Sequence, residues 1–321
     1  MRKIGLLSIV IPCHNEEEVV QTTHERVSTI LKGLLVSKKI SDYELIYVDN
    51  GSTDNTIQVL RNIFVSDLCT RIIALRRNFG FQGSISAGLF YAKGDAVVTI
   101  DADLQDPPEK IEEMIAYFEN GYDLVLGVRA DRSSDTFVKR FFTENYYRLM
   151  RLMGVNIVFN HGDFRLMAKS LVQEFNSLSE RNRLIRAMVL QLESRYAVVS
   201  YRREQRRAGR SKFTITSLFS LSIDGIVSFT FFPLRLTSII GILMSVITLI
   251  GIVWVLYSKF TDKFIPGWAS TLLPILALGG LQLFFLGVIG EYIGRLYVEV
   301  KQRPLFVVRE EYKHETVKQV S

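Results

Sequence analysis

Ala96-Val97-Val98-Thr99-Ile100-Asp101-Ala102-Asp103-Leu104-Gln105-Asp106 is a short apolar run that ends abruptly in a cluster of acids. A run of this length, rich in β-branched residues and bounded by polar turn formers, reads as a strand buried on both faces. The same figure occurs twice upstream. Leu7–Ile11 runs into Pro12-Cys13-His14-Asn15-Glu16, and Tyr43–Asp49 into Asn50-Gly51-Ser52-Thr53-Asp54. Helical spacing follows over Glu17–Leu35 and again from near Thr53; Arg71–Leu75 adds a strand and Gly83–Ala92 a helix. This alternation predicts an α/β fold with a doubly wound, mostly parallel sheet. Ligands of such sheets sit beyond the carboxyl ends of the strands, where all three polar clusters fall.

Each cluster has a chemical reading and a plainer one. Asp101 and Asp103 can aim two carboxylates at one hard cation, with Gln105 as a neutral oxygen; Mg²⁺ or Mn²⁺ takes such ligands and bridges to substrate phosphates. Taken alone, an Asp-x-Asp pair is equally at home in a turn or cap. Ser52 or Thr53 fits the cap of a helix with Asp54 in its first turn, whereas Asp49 at its strand end could accept a hydrogen bond from a nucleobase. Glu16 fits a plain helix N-terminus as well. No Gly-x-Gly-x-x-Gly and no Gly-Lys-Ser/Thr loop occurs, so dinucleotide and P-loop readings have no support.

The 321 residues allow about two domains, and 22% charged with 48% hydrophobic residues excludes a disordered chain. Two cysteines, Cys13 and Cys69, exclude a disulfide scaffold and a cysteine-based zinc site, and point to a reducing compartment. No basic start with an apolar core and cleavage site is present, so no leader is expected to be removed. The mean hydropathy of +0.18 is high for a soluble enzyme, and the excess is local. Leu236–Ser258 and Phe264–Gly290 carry no charge. Helices over Leu236–Tyr257 and Ala269–Gly290 would each run about 33 Å, the thickness of a bilayer core. Arg235 flanks one side and Arg295, Lys301 and Arg303 the other, so the positive-inside rule puts both termini in the cytoplasm and the short link Ser258–Trp268 outside. Gly290 and Gly294 form a small-xxx-small pair that suits helix packing and a homo-oligomer.

Phe213–Phe232 is apolar but holds Asp224 and seven Ser or Thr residues. Spanning with it would bury Asp224, at about 2.5–3.5 kcal/mol on insertion scales, so it reads as helices lying in the interface. Before it, Arg202–Lys212 carries six bases and one acid, +5 of the chain's net +6. That segment suits anionic headgroups or a phosphate clamp at the membrane surface. The expected domains are 1–212 catalytic, 213–234 interfacial, 235–295 a two-helix transmembrane anchor, and 296–321 a cytoplasmic tail, of which Glu310–Ser321 reads as mobile.

The three strand-end clusters in this order resemble the family 2 glycosyltransferases of GT-A fold. With Asn78-Phe79-Gly80, Gly127-Val128-Arg129, Gly162-Asp163-Phe164-Arg165-Leu166-Met167, Gly209-Arg210-Ser211-Lys212 and Gly290-Glu291-Tyr292-Ile293-Gly294-Arg295, the chain is similar to the polyprenyl-phosphate glycosyltransferases from about Leu7 to Pro304. His14 stands where an aromatic is common in that family, and Asn50 where a second Asp is frequent. The resemblance implies a nucleotide-sugar site of Pro12, His14, Asn15, Glu16, Asp49, Ser52, Asp101, Ala102 and Arg129. It implies a metal, Mg²⁺ or Mn²⁺, on Asp101, Asp103 and Gln105, and a lipid phosphate on Arg206, Arg210, Ser211 and Lys212. Asp103 and Asp163 would be catalytic, although a phosphate acceptor is already anionic and needs no base. Asp163 thus reads as orienting acceptor or sugar, or as a turn carboxylate paired with Arg165.

The reaction implied is inverting transfer of a hexose, first of all glucose from UDP-glucose, onto undecaprenyl or another polyprenyl phosphate at the cytoplasmic face of the inner or plasma membrane, for cell-envelope glycans. GDP-mannose, UDP-N-acetylglucosamine or a modified pentose are the alternative donors. A processive polysaccharide synthase would need more spans and a Gln-x-x-Arg-Trp motif, which is absent. A nucleic-acid partner is not expected, because the basic segment has no reading motif beside it. A non-catalytic membrane scaffold would explain the anchor but not the acids and bases gathered at the strand ends.

Overall fold

The computed structural model describes residues 2–130, 158, 160–181, 183–202, 232–260 and 267–314. Strands and helices alternate as β1 (Ile4–Cys13), α1 (Val20–Val36), β2 (Ile40–Asp49), α2 (Thr56–Ser66), β3 (Thr70–Leu75), α3 (Gly80–Tyr91) and β4 (Ala96–Thr99). Next come a 3-10 turn (Pro108–Lys110), α4 (Ile111–Glu119), β5 (Leu124–Arg129), β6 (His161–Ala168), α5 (Lys169–Ser177), α6 (Ile185–Leu192) and β7 (Tyr196–Tyr201). Two long helices, α7 (Phe232–Phe260) and α8 (Trp268–Val300), precede a last strand, β8 (Val308–Tyr312).

The strands form one sheet in the order β7-β5-β6-β4-β1-β2-β3-β8. β1 pairs in parallel with β2 and β4, β2 with β3, and β5 with β7. β6 enters antiparallel between β4 and β5. The expected mostly parallel α/β sheet is therefore present, with β6 reversed near its middle and β8 reversed at one edge. Leu7, Ile9 and Ile11 point to one face and share a core with Val27 and Leu31 of α1, Leu60 of α2 and Met114 of α4. Each fully buried side chain of this kind contributes about 1.5–3 kcal/mol. On the other face α3 lies on Val10 and Val48. It comes so close that a Cβ on Gly88 would sit 2.1 Å from Val10 Cγ1.

Helix boundaries shift by a few residues from expectation for a local reason. α2 begins at Thr56 rather than Thr53, because Asp54 Oδ1 accepts hydrogen bonds from the Thr56 amide (3.0 Å) and hydroxyl (2.6 Å). Ser52 and Thr53 do not cap it; both are engaged with Asn15.

The chain divides into two compact units, one of Met1–Leu152, Asn156–Thr214 and Arg303–Ser321, the other of Met153–Val155 and Ile215–Gln302. The second contains α7 and α8. Where two spans were expected, the described residues supply one stretch long and apolar enough to cross a membrane, Ala277–Val300; Leu236–Gly251 is apolar but shorter. Leu283 and Phe284 on α8 are 71% and 62% exposed.

The mobile tail does not hold for Glu310–Tyr312, which lie in β8, antiparallel to β3. Arg61 Nη2 donates to Tyr312 Oη (2.6 Å) and Glu310 Oε2 (3.2 Å), and Arg71 Nη2 to Glu311 Oε1 (2.7 Å). The His314 ring stacks on Phe64 with centroids 3.9 Å apart. A charged strand at an edge blunts further pairing, and β8 fits that role.

Candidate active site

The β1 and β2 ends are tied by the residues expected to hold a nucleoside. Pro12 pairs with Val48 in the last rungs of the ladder. Asn15, in the left-handed region at φ 54°, donates its amide to Ser52 Oγ (3.0 Å) and accepts from the Thr53 amide through Oδ1 (2.8 Å). The Glu16 amide donates to Thr56 Oγ1 (2.8 Å), and buried Asp49 accepts from the Ser52 amide (3.2 Å). Gly51 sits at φ 64°, and a Cβ there would lie 2.5 Å from the Arg77 carbonyl carbon.

Asn50, the departure from the family pattern, organises the neighbouring loop. Its amide nitrogen donates to Asn78 Oδ1 and the Gly80 carbonyl, both at 3.1 Å, and its oxygen accepts from the Phe79 amide (2.9 Å). An aspartate could not make the two donations. His14 Nε2 and Asn78 Nδ2 are 3.0 Å apart, so His14 joins the same network.

The acidic turn after β4 contains a residue in the left-handed region. Leu104 adopts φ 54°, costly for a branched side chain, and is buried. Thr23 Oγ1 donates to the Ala102 carbonyl (2.6 Å), and Asp103 Oδ1 accepts from the Gln105 amide (3.2 Å). The antiparallel register pairs Thr99 with Arg165; continued by two residues, it sets Asp101 across from Asp163. Asp101 keeps partial contact with water, yet its carboxyl is pushed up to about 8, first by burial and then by Asp106, Asp163 and Asp103.

Such mutual repulsion fits a divalent cation, which would relieve it. Among the described residues no group of three or more His, Cys, Asp or Glu side chains is arranged around one point. A cation on Asp101 and Asp103 would thus complete its shell with Gln105, water and substrate phosphate oxygens, the habit of Mg²⁺.

Asp163 lies in a strand, not a turn, and both of its oxygens are in ion pairs. Arg165 Nη2 donates to Oδ1 (2.6 Å), Arg186 Nε to Oδ1 and Oδ2 (3.2 and 3.1 Å), and Arg186 Nη2 also to Oδ2. Burial alone would raise the Asp163 carboxyl, but Arg186 and Arg165 outweigh it and hold it well below the usual carboxylate range. Arg165 is fully buried, and burial lowers its guanidinium to about 10, still charged at neutral pH. His161 beside it is kept neutral by burial and by the Arg165 charge.

Arg129 ends β5 opposite Tyr201 of β7. Burial works against its charge, and Asp106 and Tyr201 more than offset that. Tyr201 Oη donates to Asp106 Oδ1 (2.7 Å), and a Cβ on Gly162 would be 3.5 Å from Arg129 Nη2. Asp106, Arg186 and Tyr201 had no assigned role in the sequence. Asp106 closes the acidic cluster quoted first, and Arg165 was visible as a partner for Asp163; Arg186 and Tyr201 gave no local signal. Arg206, Arg210, Ser211 and Lys212 lie outside the described residues, as do 213–231.

Residues 8–175 match the family model described as Glycosyl transferase family 2. A relative from Bacillus subtilis, the uncharacterized glycosyltransferase YkcC, is 42% identical over 95% of this chain and 94% of its own. An uncharacterized glycosyltransferase of Synechocystis is 40% identical over 94% of each. The SfII prophage-derived bactoprenol glucosyl transferase of Shigella flexneri is 37% identical over 96% of this chain and 98% of its own.

Proposed function

Because this chain belongs to glycosyl transferase family 2, we propose that it transfers a hexose, glucose from UDP-glucose, onto the phosphate of a polyprenyl lipid. The observation that carries the proposal is the end-to-end likeness to bactoprenol glucosyl transferases, joined to carboxylates and guanidiniums gathered at the sheet's carboxyl edge. A lipid acceptor also accounts for an apolar stretch of membrane-crossing length in the same chain as a polar site. We place the catalytic unit at the cytoplasmic face, with α7 and α8 as the two spans.

In the proposed reaction an oxygen of the lipid phosphate attacks the anomeric carbon, the bond from that carbon to the diphosphate breaks, and nucleoside diphosphate leaves with inversion. The acceptor is anionic at neutral pH, so the attack needs no proton removed. Pro12, His14, Asn15, Glu16, Asp49 and Ser52 bind the nucleoside. Asp101, Asp103 and Gln105 hold Mg²⁺ or Mn²⁺, which when bound offsets negative charge on the departing diphosphate. Arg129 grips a phosphate of the nucleotide sugar, and Arg206, Arg210, Ser211 and Lys212 take the lipid phosphate, for which cationic donors are suited.

The test is transfer of radiolabelled sugar from a panel of nucleotide sugars to undecaprenyl phosphate by the purified full chain, with Mn²⁺ and with EDTA. Label should become organic-extractable from UDP-glucose, sensitive to chelator, and lost in Asp103→Asn while that variant stays folded. A folded protein that binds UDP yet labels no lipid from any donor refutes the acceptor. One that binds no nucleotide refutes the enzyme.

A further inference from the structure

His14 and Asn50, the two places where the chain departs from its family pattern, belong to one hydrogen-bonded relay. Each directly follows the last rung of the β1–β2 ladder, where Cys13 pairs with Asp49, and the Asn50 backbone amide donates to the Cys13 carbonyl (2.8 Å). The relay is anchored in backbone groups, whose roles as donor or acceptor admit no choice. The Phe79 N–H can only donate and the Gly80 carbonyl can only accept. Asn50 must therefore turn its side-chain oxygen to the first (2.9 Å) and its nitrogen to the second (3.1 Å). That nitrogen also donates to Asn78 Oδ1 (3.1 Å), which accepts the Gly80 N–H as well (2.7 Å). Turning the Asn78 amide over would set two donors against its nitrogen. Asn78 Nδ2 thus faces His14 Nε2 as a donor, 3.0 Å away, and His14 Nε2 is the acceptor. The ring's hydrogen is then on Nδ1, the form less favoured by a free histidine.

We propose that Asn50 and Asn78 are positioning residues for nucleotide binding, and that they act through His14 by holding its ring with Nε2 as acceptor. The inference rests on the glycosyl-transfer reading above, which places His14 on the nucleoside, and it deepens that reading. A ring gripped at its outer nitrogen does not swing about χ2, so the nucleoside meets a side chain that is already ordered. The carboxylate frequent at position 50 could not hold this arrangement. Its oxygens would face Asn78 Oδ1 and the Gly80 carbonyl, so Asn78 would have to turn its nitrogen back and its oxygen toward His14. The ring's hydrogen would then move to Nε2. His14 and Asn50 are therefore one paired departure, linked through the Asn78-Phe79-Gly80 loop. The close approach at Gly51, where a Cβ would lie 2.7 Å from the Asn78 amide nitrogen, keeps that loop within reach.

The experiment reads nitrogen chemical shifts from the full chain isotope-labelled at its histidine rings, and UDP binding by calorimetry with Mn²⁺. His14→Phe assigns the His14 signals among the four histidines. Wild-type His14 should show hydrogen on Nδ1 and none on Nε2. Asn78→Asp keeps both donations to one oxygen and sets its other oxygen against Nε2, so the Nε2 signal should move into the N–H range. Asn78 is exposed, so this variant is expected to fold. Asn50→Asp should give the same shift, from a residue that is 4% exposed. Loss of one neutral hydrogen bond predicts about 2- to 10-fold weaker UDP binding in Asn78→Ala. In the His14→Phe background the same change should weaken binding no further, since its effect passes through the ring. The proposal is overturned if wild-type His14 has its hydrogen on Nε2, or if Asn78→Asp leaves the Nε2 signal in place. It is equally overturned if Asn78→Ala leaves UDP affinity unchanged, or weakens it by the same factor with and without His14. A wild-type chain that shows the expected nitrogen signature yet binds no UDP refutes the glycosyl-transfer reading, and with it the nucleotide role of the relay.

Discussion

Gly88 is where the sheet's packing can be tested by sign as well as by size. In Gly88→Ala the added carbon meets Val10 Cγ1 at 2.1 Å, Val48 Cγ2 at 3.2 Å and Val10 Cβ at 3.3 Å. Carbon atoms pack at about 3.5–4.0 Å, so the first contact overlaps by roughly 1.4 Å. Val10 and Val48 are both 0% exposed, and a β-branched side chain has little χ1 freedom with which to retreat. The relief has to come from lifting α3, at about 1–3 kcal/mol for overpacking of this kind. Against that, alanine gains about 1 kcal/mol over glycine in a helix. With so large an overlap the upper range applies, and the net expectation is about 2 kcal/mol of destabilisation. Hydrogen exchange read by mass spectrometry on peptides from β1 and β2 should then quicken by roughly 30-fold. Val10→Ala removes the obstructing methyl groups, and in that background Gly88→Ala should slow exchange. A Gly88→Ala protein that exchanges more slowly in the wild-type background would show that helix propensity wins and that the close approach is not limiting.

Three further outcomes follow from the same structure. Burial, then the charges of Asp106, Asp163 and Asp103, push the Asp101 carboxyl up to about 8 in the folded chain, above its unfolded value of 3.8, so the native state binds the extra proton between them. Its contribution to stability is full below the unfolded value and is lost as pH rises through about 8. Without divalent cations, thermal midpoints should fall between pH 5 and 8; Mn²⁺ should flatten that decline, and an unchanged slope would count against the metal assignment. Cys13 is buried with its thiol pushed well above 9, and Cys69 is half-buried and also raised, in both cases chiefly by burial. Ellman's reagent at pH 8 should label Cys69 slowly and Cys13 only after denaturant, so two fast thiols would contradict the fold around β1. Glu311→Lys sets a like charge against Arg71 and should loosen β8 by about 1 kcal/mol. Faster exchange should then be confined to the β8 and β3 peptides, and loosening spread through the sheet would refute a local anchor.

What could be read from the sequence was whatever repeats along the chain. β1, β2 and β4 are apolar runs that end in polar clusters, and the side chains at those ends fall at one edge of the sheet because parallel strands share a direction. What could not be read depends on partners far apart. Asp163 meets Arg186 and Asp106 meets Tyr201 only because β6 enters in reverse between β4 and β5, and no local periodicity announces that insertion. Val308-Arg309-Glu310-Glu311-Tyr312 was missed for a different reason. Three of its five residues are charged, as suits an edge, and the usual alternation of a half-buried strand is absent. Asn50 stands where a second Asp is frequent, and only the fold shows its amide donating twice.

The β8–β3 pairing also bears on the order in which the molecule can be built. Leu75 closes β3, and its partner Val308 lies more than two hundred residues later. At ribosomal speeds of about 5–20 residues per second, roughly 10–50 s separates the appearance of the two. Throughout that interval β3 has an unsatisfied flank, and both long apolar helices emerge before it is covered. A nascent chain stalled anywhere in this window presents an open template for strand addition. Synthesis through β8 therefore has to outpace self-association of the half-made sheet, and the codons of Val308–Tyr312 decide when that exposure ends.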